Sequence, residues 1–153
     1  TNVTMWAGLK LTNTPTVEAL REVVEKSGPL GLVVVDYLQL IRAGTGDEGK
    51  RINVEAVSLG LKAVAIDFSV PVLCLSSLRR LQKLKDGTRE KPEMSDLRES
   101  GALEHDGDIV MLLTRDFNSD IVDLSVAKNR DGRVGELKLR FDGGLMKFEE
   151  TSG

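Results

Sequence analysis

Gly31-Leu32-Val33-Val34-Val35-Asp36 sets an uninterrupted apolar run, three of its residues β-branched, directly against a carboxylate. Runs of this kind form central strands buried on both faces of a parallel sheet. A strand that ends in Asp delivers that carboxylate to the sheet's carboxyl edge. The plain alternative is any parallel strand that happens to end in Asp, and the apolar run alone does not separate the two.

Outward from this run the pattern alternates between strand and helix. Residues 5–11 read as a strand that stops before Asn13-Thr14-Pro15. Thr16 is placed to cap a helix whose apolar stripe is Val17, Leu20, Val23 and Val24, and Ser27-Gly28-Pro29 ends it. Residues 43–50 are Gly-rich and charged, without periodicity. A second helix is expected over 53–68, with Val54, Val57, Leu61, Val64 and Ala65 on one face. Residues 70–76 form another nearly unbroken apolar strand, and Pro71 is tolerated near its start. A polar stretch follows, with Arg79, Arg80, Lys83, Lys85 and Arg89 ahead of Lys91. Short helical turns are expected over 95–106 and a third buried strand over 108–114. The last third alternates and is punctuated by Asp131-Gly132 and Gly143-Gly144, which are hairpin signals. The sum is an α/β domain whose mixed sheet is flanked by helices and carries antiparallel hairpins at its C-terminal edge.

Composition narrows the function classes. A chain of 153 residues, 41% apolar, 29% charged and only 4% aromatic, has the make-up of one soluble domain with an aliphatic core. Its net charge of −3 excludes nucleic-acid binding driven by bulk charge but leaves room for a local basic strip. The single cysteine, Cys74, sits inside an apolar strand and reads as a buried structural thiol. With no signal-peptide pattern and no run of membrane-spanning length, a cytoplasmic location without membrane contact is expected. The first residue is Thr, so the chain is expected to be a piece of something longer.

Asp36 at the end of its apolar strand has the form of a Walker B element, which serves the Mg²⁺ of a bound nucleotide. Gly44-Thr45-Gly46-Asp47-Glu48-Gly49-Lys50 spells the start of a phosphate-binding loop but is not one. Arg51 stands where Ser or Thr must offer a hydroxyl, the segment follows the Asp-bearing strand, and Asp47 and Glu48 repel phosphate. It reads as a surface loop whose Arg42, Lys50 and Arg51 can touch a polyanion. Ser76-Ser77, after an apolar strand, matches the strand tip that senses the γ-phosphate in RecA-like ATPases; many other strands end in Ser.

Several runs then fall in a familiar order and spacing. They are Asp36-Tyr37-Leu38-Gln39-Leu40, Leu61-Lys62-Ala63-Val64-Ala65, Val70-Pro71-Val72 and Leu75-Ser76. Ser95-Asp96-Leu97-Arg98-Glu99-Ser100-Gly101, Glu104, Asp106, Asp108 and Lys128-Asn129-Arg130-Asp131-Gly132 complete the set. Over residues 12–148 the chain resembles bacterial replicative DNA helicases, the DnaB family, and covers the second half of that family's RecA-like motor domain. The resemblance implies a RecA-like P-loop NTPase fold and a single partial domain over 1–153 that lacks the Walker A half. It implies that Asp36 holds Mg²⁺ through water and that Ser76 and Ser77 sense the γ-phosphate of ATP. Arg130 would be the arginine finger, reaching into the neighbouring subunit's site with Lys128 beside it. Arg98, Glu99 and Gly101 would lie on a channel loop gripping single-stranded DNA, and the loop with Arg42, Lys50 and Arg51 would be another.

The implied protein is an ATP-dependent helicase that works as a hexameric ring with primase and a helicase loader as partners. Two departures stand out. Ser76-Ser77-Leu78-Arg79-Arg80 replaces the family's Ser-Gln-Leu-Asn-Arg, so Ser77 takes the place of the sensing Gln, and His105 stands where the family often has Gln. The Walker A loop and catalytic Glu lie upstream in the family, so the isolated chain is expected to lack ATPase activity. A RecA- or RadA-like recombination ATPase, and a degenerate non-hydrolysing ring or loader-binding module, are the competing readings.

Overall fold

Two units make up the chain, Thr1–Ser76 and Ser77–Gly153. The computed structural model describes residues 15–43, 50–81, 90–97, 101–116 and 118–151 of them. The strand expected over 5–11 lies outside the described residues.

The first unit opens with α1 (Val17–Ser27), started by the cap the sequence predicts: Thr16 Oγ1 accepts the Ala19 N–H at 3.2 Å. Glu18 in the first turn and Lys26 in the last suit the helix dipole, and Gly28, at φ 72°, ends the helix where a side chain would be strained. β1 (Val33–Val35) pairs in parallel with β2 (Val72–Cys74), in the register Val33↔Val72, Val34↔Leu73 and Val35↔Cys74. The connection between them is α2 (Lys50–Asp67), starting three residues before the expected position. Val54, Val57, Leu61 and Val64 are buried along it at spacings of three and four, the period of one helix face. α1 lies close on α2 at Gly60, where a methyl group would stand 2.6 Å from Val17 Cγ1.

Burial corrects one expectation. Val33 and Val35 are buried, but Val34 is 57% exposed and its partner Leu73 is 40% exposed. An apolar run reports strand type, whereas alternation still sends every second side chain to the opposite face. β1 and β2 are therefore half-buried strands among the described residues, not strands covered on both faces.

The second unit begins with an extended segment whose Leu78 bridges Leu97 in antiparallel fashion. A 3-10 turn (Met94–Asp96) follows, and then α3 (Gly101–Asp106). β3 (Ile109–Arg115), β4 (Ile121–Asn129), β5 (Gly135–Asp142) and β6 (Lys147–Glu150) form an antiparallel meander in the order β3-β4-β5-β6. This is the hairpin-rich end that the turn residues foretell. Asp142 Oδ1 accepts the N–H groups of Gly144 and Leu145 at 2.9 and 3.1 Å, and the left-handed residue of that turn is Met146, not a glycine. β3 is likewise half-buried: Val110 and Leu112 face inward, while Ile109, Met111 and Leu113 are exposed. Between Val110 and Met111 the partner on β4 jumps from Lys128 to Val126, a bulge of one residue. No described helix is long and apolar enough to cross a membrane.

Candidate functional site

Because β1 and β2 run parallel, their carboxyl ends open on one edge, where ligands of α/β sheets bind. Leu75 N–H donates to Val35 O, and Leu38 N–H to Leu75 O, both at 2.9 Å, so the pairing extends past the two strands and fixes that edge. Asp36 stands there, exposed to solvent. Ser76 stands at the adjoining strand end, where its Oγ accepts Gln39 Nε2–H at 3.0 Å. Gln39 belongs to the Asp36-Tyr37-Leu38-Gln39-Leu40 run but carries no role on the sequence reading; its signal was an amide three residues past the carboxylate. Burial pushes the Cys74 thiol up to about 11, so one step before this edge the sulfur is a packing group, not a nucleophile.

Among the described residues no three His, Cys, Asp or Glu side chains gather to hold a metal. A lone, accessible carboxylate nonetheless fits Mg²⁺, which keeps waters and takes its remaining ligands from phosphate oxygens. Asp36 is the residue that would hold it.

The base of the basic loop is tied down from both sides. Arg42 N–H donates to Pro15 O at 2.8 Å and Arg42 O accepts Val17 N–H at 3.1 Å. Asn53, on α2, accepts the Ala43 N–H and donates to Ile41 O, each at 3.0 Å. Asn53 is a second residue the sequence reading missed, since nothing local marks an amide that reaches ten residues back. Lys50 and Arg51 open α2, and their side chains lie outside the described residues, as do Arg98 and Glu99.

In the second unit Lys128 and Arg130 converge on the junction between α3 and β3. The bulge at Ala127 re-aims the strand just before Lys128. Lys128 Nζ donates to Glu104 O at 2.7 Å and His105 O at 2.9 Å, carbonyls of the last turn of α3. An ammonium there satisfies acceptors a helix end leaves open and sits favourably on its dipole. Arg130 N–H donates to Asp108 O at 2.9 Å, and its Nη1 meets Asp108 Oδ1 at 2.9 Å. Gly101 begins α3 and is exposed.

Ser77 opens this unit ahead of an ion pair whose carboxylate is buried and whose arginine is half-exposed. Asp96 is 3% exposed, accepts the Glu93 N–H at 2.8 Å and is held by Arg79 Nε. The Glu93 N–H, and then the Arg79 guanidinium, keep its carboxyl below the usual carboxylate range despite burial. Arg79 N–H also donates to Asp96 O at 2.8 Å. The structure thus brings Asp36 and Ser76 to one edge, and Lys128 and Arg130 to one junction.

Comparison with known proteins gives this geometry a setting. The family model described as the DnaB-like helicase C-terminal domain matches residues 7–150. The replicative DNA helicase DnaB of Geobacillus stearothermophilus is 39% identical over 156 residues, covering 93% of this chain and 34% of that protein. The probable replicative DNA helicase of Trieres chinensis is 38% identical over 147 residues, covering 86% and 32%. The chain spans about a third of the length of these curated relatives.

Two solved structures are similar at 30% identity, each covering 90% of this chain. One is an ATPase domain, with a TM-score of 0.79 and 52% of its chain covered. The other is a DnaB-like replicative helicase described with its interactions with primase, with a TM-score of 0.75 and 36% covered. With 7–150 matched by one family model, and with TM-scores of 0.79 and 0.75 to these two structures, the chain belongs to the DnaB-like helicase C-terminal domain family.

Proposed function

We propose that this chain supplies part of the motor of a hexameric, ATP-dependent replicative DNA helicase that translocates on single-stranded DNA. The observation that carries the reading is the carboxyl edge at which Asp36 and the Gln39-bonded Ser76 end adjoining parallel strands, in a member of this family. On this reading both units, 1–153, belong to one RecA-like motor domain. Asp36 would hold the Mg²⁺ of bound ATP, and the ion would neutralise charge that develops on the phosphate oxygens. Ser76, set by Gln39, and Ser77 report the state of the γ-phosphate. Arg130, with Lys128 beside it, is supplied to the neighbouring subunit's nucleotide, where a fixed guanidinium stabilises the charge of phosphoryl transfer.

DNA is gripped by its backbone. Arg98, Glu99 and Gly101 form one contact and Arg42, Lys50 and Arg51 a second. A chain with 4% aromatic residues favours phosphate grip over base stacking. Primase and a helicase loader are the partners and the cytoplasm the location. The test is turnover by the full-length subunit that carries this chain. ATPase stimulated by single-stranded DNA is expected, and Arg130→Ala should lower it about a thousandfold or more while nucleotide binding survives. Loss of nucleotide binding in that variant would make Arg130 a folding residue instead and refute its assigned role.

A further inference from the structure

Residues 104–108 hold both basic groups at the end of β4. Two carbonyls of α3 take Lys128, at 2.7 and 2.9 Å, and Asp108 takes Arg130 twice, through its backbone carbonyl and its carboxylate, each at 2.9 Å. Two of these four bonds seat the hairpin rim on α3, and two tie it to the residue just ahead of β3. An arginine at such a rim otherwise spreads over many rotamers, and a group that must meet a transition state works only when it is already in place. We propose that Asp108 is a positioning residue. It holds the Arg130 guanidinium in the orientation offered to the neighbouring subunit's nucleotide, while Lys128 keeps the rim seated on α3. This rests on the reading of Arg130 as the residue supplied in trans.

The form of the pair argues for positioning over sequestration. Arg130 meets the Asp108 side chain through Nη1, and the two side chains are 53% and 48% exposed. A guanidinium has five N–H donors in a rigid fork, so one nitrogen can be held while the solvent side stays open to a phosphate. A carboxylate meant to sequester it would be buried and would grip both ends of the fork.

The experiment compares wild type, Asp108→Asn, Asp108→Glu and Arg130→Ala in the full-length subunit. It measures kcat and KM for ATP with oligo-dT present, together with the Kd for oligo-dT and the melting temperature. Asp108→Asn should lower kcat about three- to fivefold, as expected for a solvent-exposed ion pair. KM, Kd and melting temperature should stay near the wild-type values, and Asp108→Glu should recover most of the loss. Unchanged turnover in Asp108→Asn overturns the proposal, and faster turnover overturns it in favour of sequestration. A parallel loss of melting temperature and ATP affinity overturns it in favour of a structural role. Arg130→Ala separates this inference from its premise. If that variant turns over like wild type, the premise falls and the proposal with it. If it is inactive while Asp108→Asn matches wild type, only the proposal falls.

Discussion

Gly60→Ala probes the contact that seats α1 on α2. A methyl group at residue 60 would stand 2.6 Å from Val17 Cγ1, 3.0 Å from Cγ2 and 3.3 Å from Cβ. All three atoms belong to one β-branched side chain, 9% exposed, which has a single good rotamer in a helix and cannot swing aside. Two effects oppose each other. Ala in place of Gly in a helix interior favours folding by about 1 kcal/mol. Forcing an extra carbon into a packed contact costs roughly 1–3 kcal/mol, and an approach of this closeness belongs at the upper end. Net destabilisation of about 1–2 kcal/mol is expected. In a Val17→Ala background both γ carbons are gone, so Gly60→Ala should become neutral or stabilising by up to about 1 kcal/mol. Urea unfolding of the four proteins, followed by circular dichroism, reads this coupling directly. A stabilising Gly60→Ala in the parent chain, or the same effect in both backgrounds, would refute the packing account.

Asp96→Asn should lower stability at neutral pH and match the parent in acid. A carboxyl held below its ordinary pKa when folded contributes stability that is complete above about pH 4 and is lost as pH falls through its folded value. Urea midpoints of the two proteins should therefore draw together as pH falls from about 4 and converge below the folded value; a gap that does not narrow contradicts the assignment. With its pKa near 11, the Cys74 thiol is ionised to about a thousandth at pH 8. Labelling by a thiol reagent should be slow in the native chain and fast in urea, and fast native labelling would show that the sulfur is accessible and activated. The 153-residue chain on its own should show no appreciable ATPase, because its sequence holds no complete phosphate-binding loop. Robust turnover by the pure chain would overturn that expectation.

The elements legible in the sequence were those set by local chemistry. Thr16 caps α1 because its hydroxyl needs only a donor three residues away. The meander was visible in Asp131-Gly132 and Gly143-Gly144, since turns carry their own residue signatures. The edge carrying Asp36 followed from an apolar run ending in a carboxylate. What escaped were partners far apart in sequence: Gln39 with Ser76 and Asn53 with Ile41 and Ala43. Lys128 on the carbonyls of α3 and Arg130 on Asp108 escaped too. Those contacts depend on which strands become neighbours and on a one-residue bulge, and no periodicity reports either. The half-burial of β1 and β3 was hidden for a related reason, because an apolar residue is written the same way whether its face is covered or open.

The central claim, that Asp36 and Arg130 are two halves of one nucleotide site shared between neighbouring subunits, has a direct test in subunit mixing. Asp36→Ala and Arg130→Ala are each expected to be inactive alone. In rings assembled from both, about a quarter of the interfaces join the intact Asp36 of one variant to the intact Arg130 of the other. ATP turnover in the presence of single-stranded DNA that appears only on mixing is the predicted result. A mixture as inactive as its separate components, with ring assembly intact, would contradict the account.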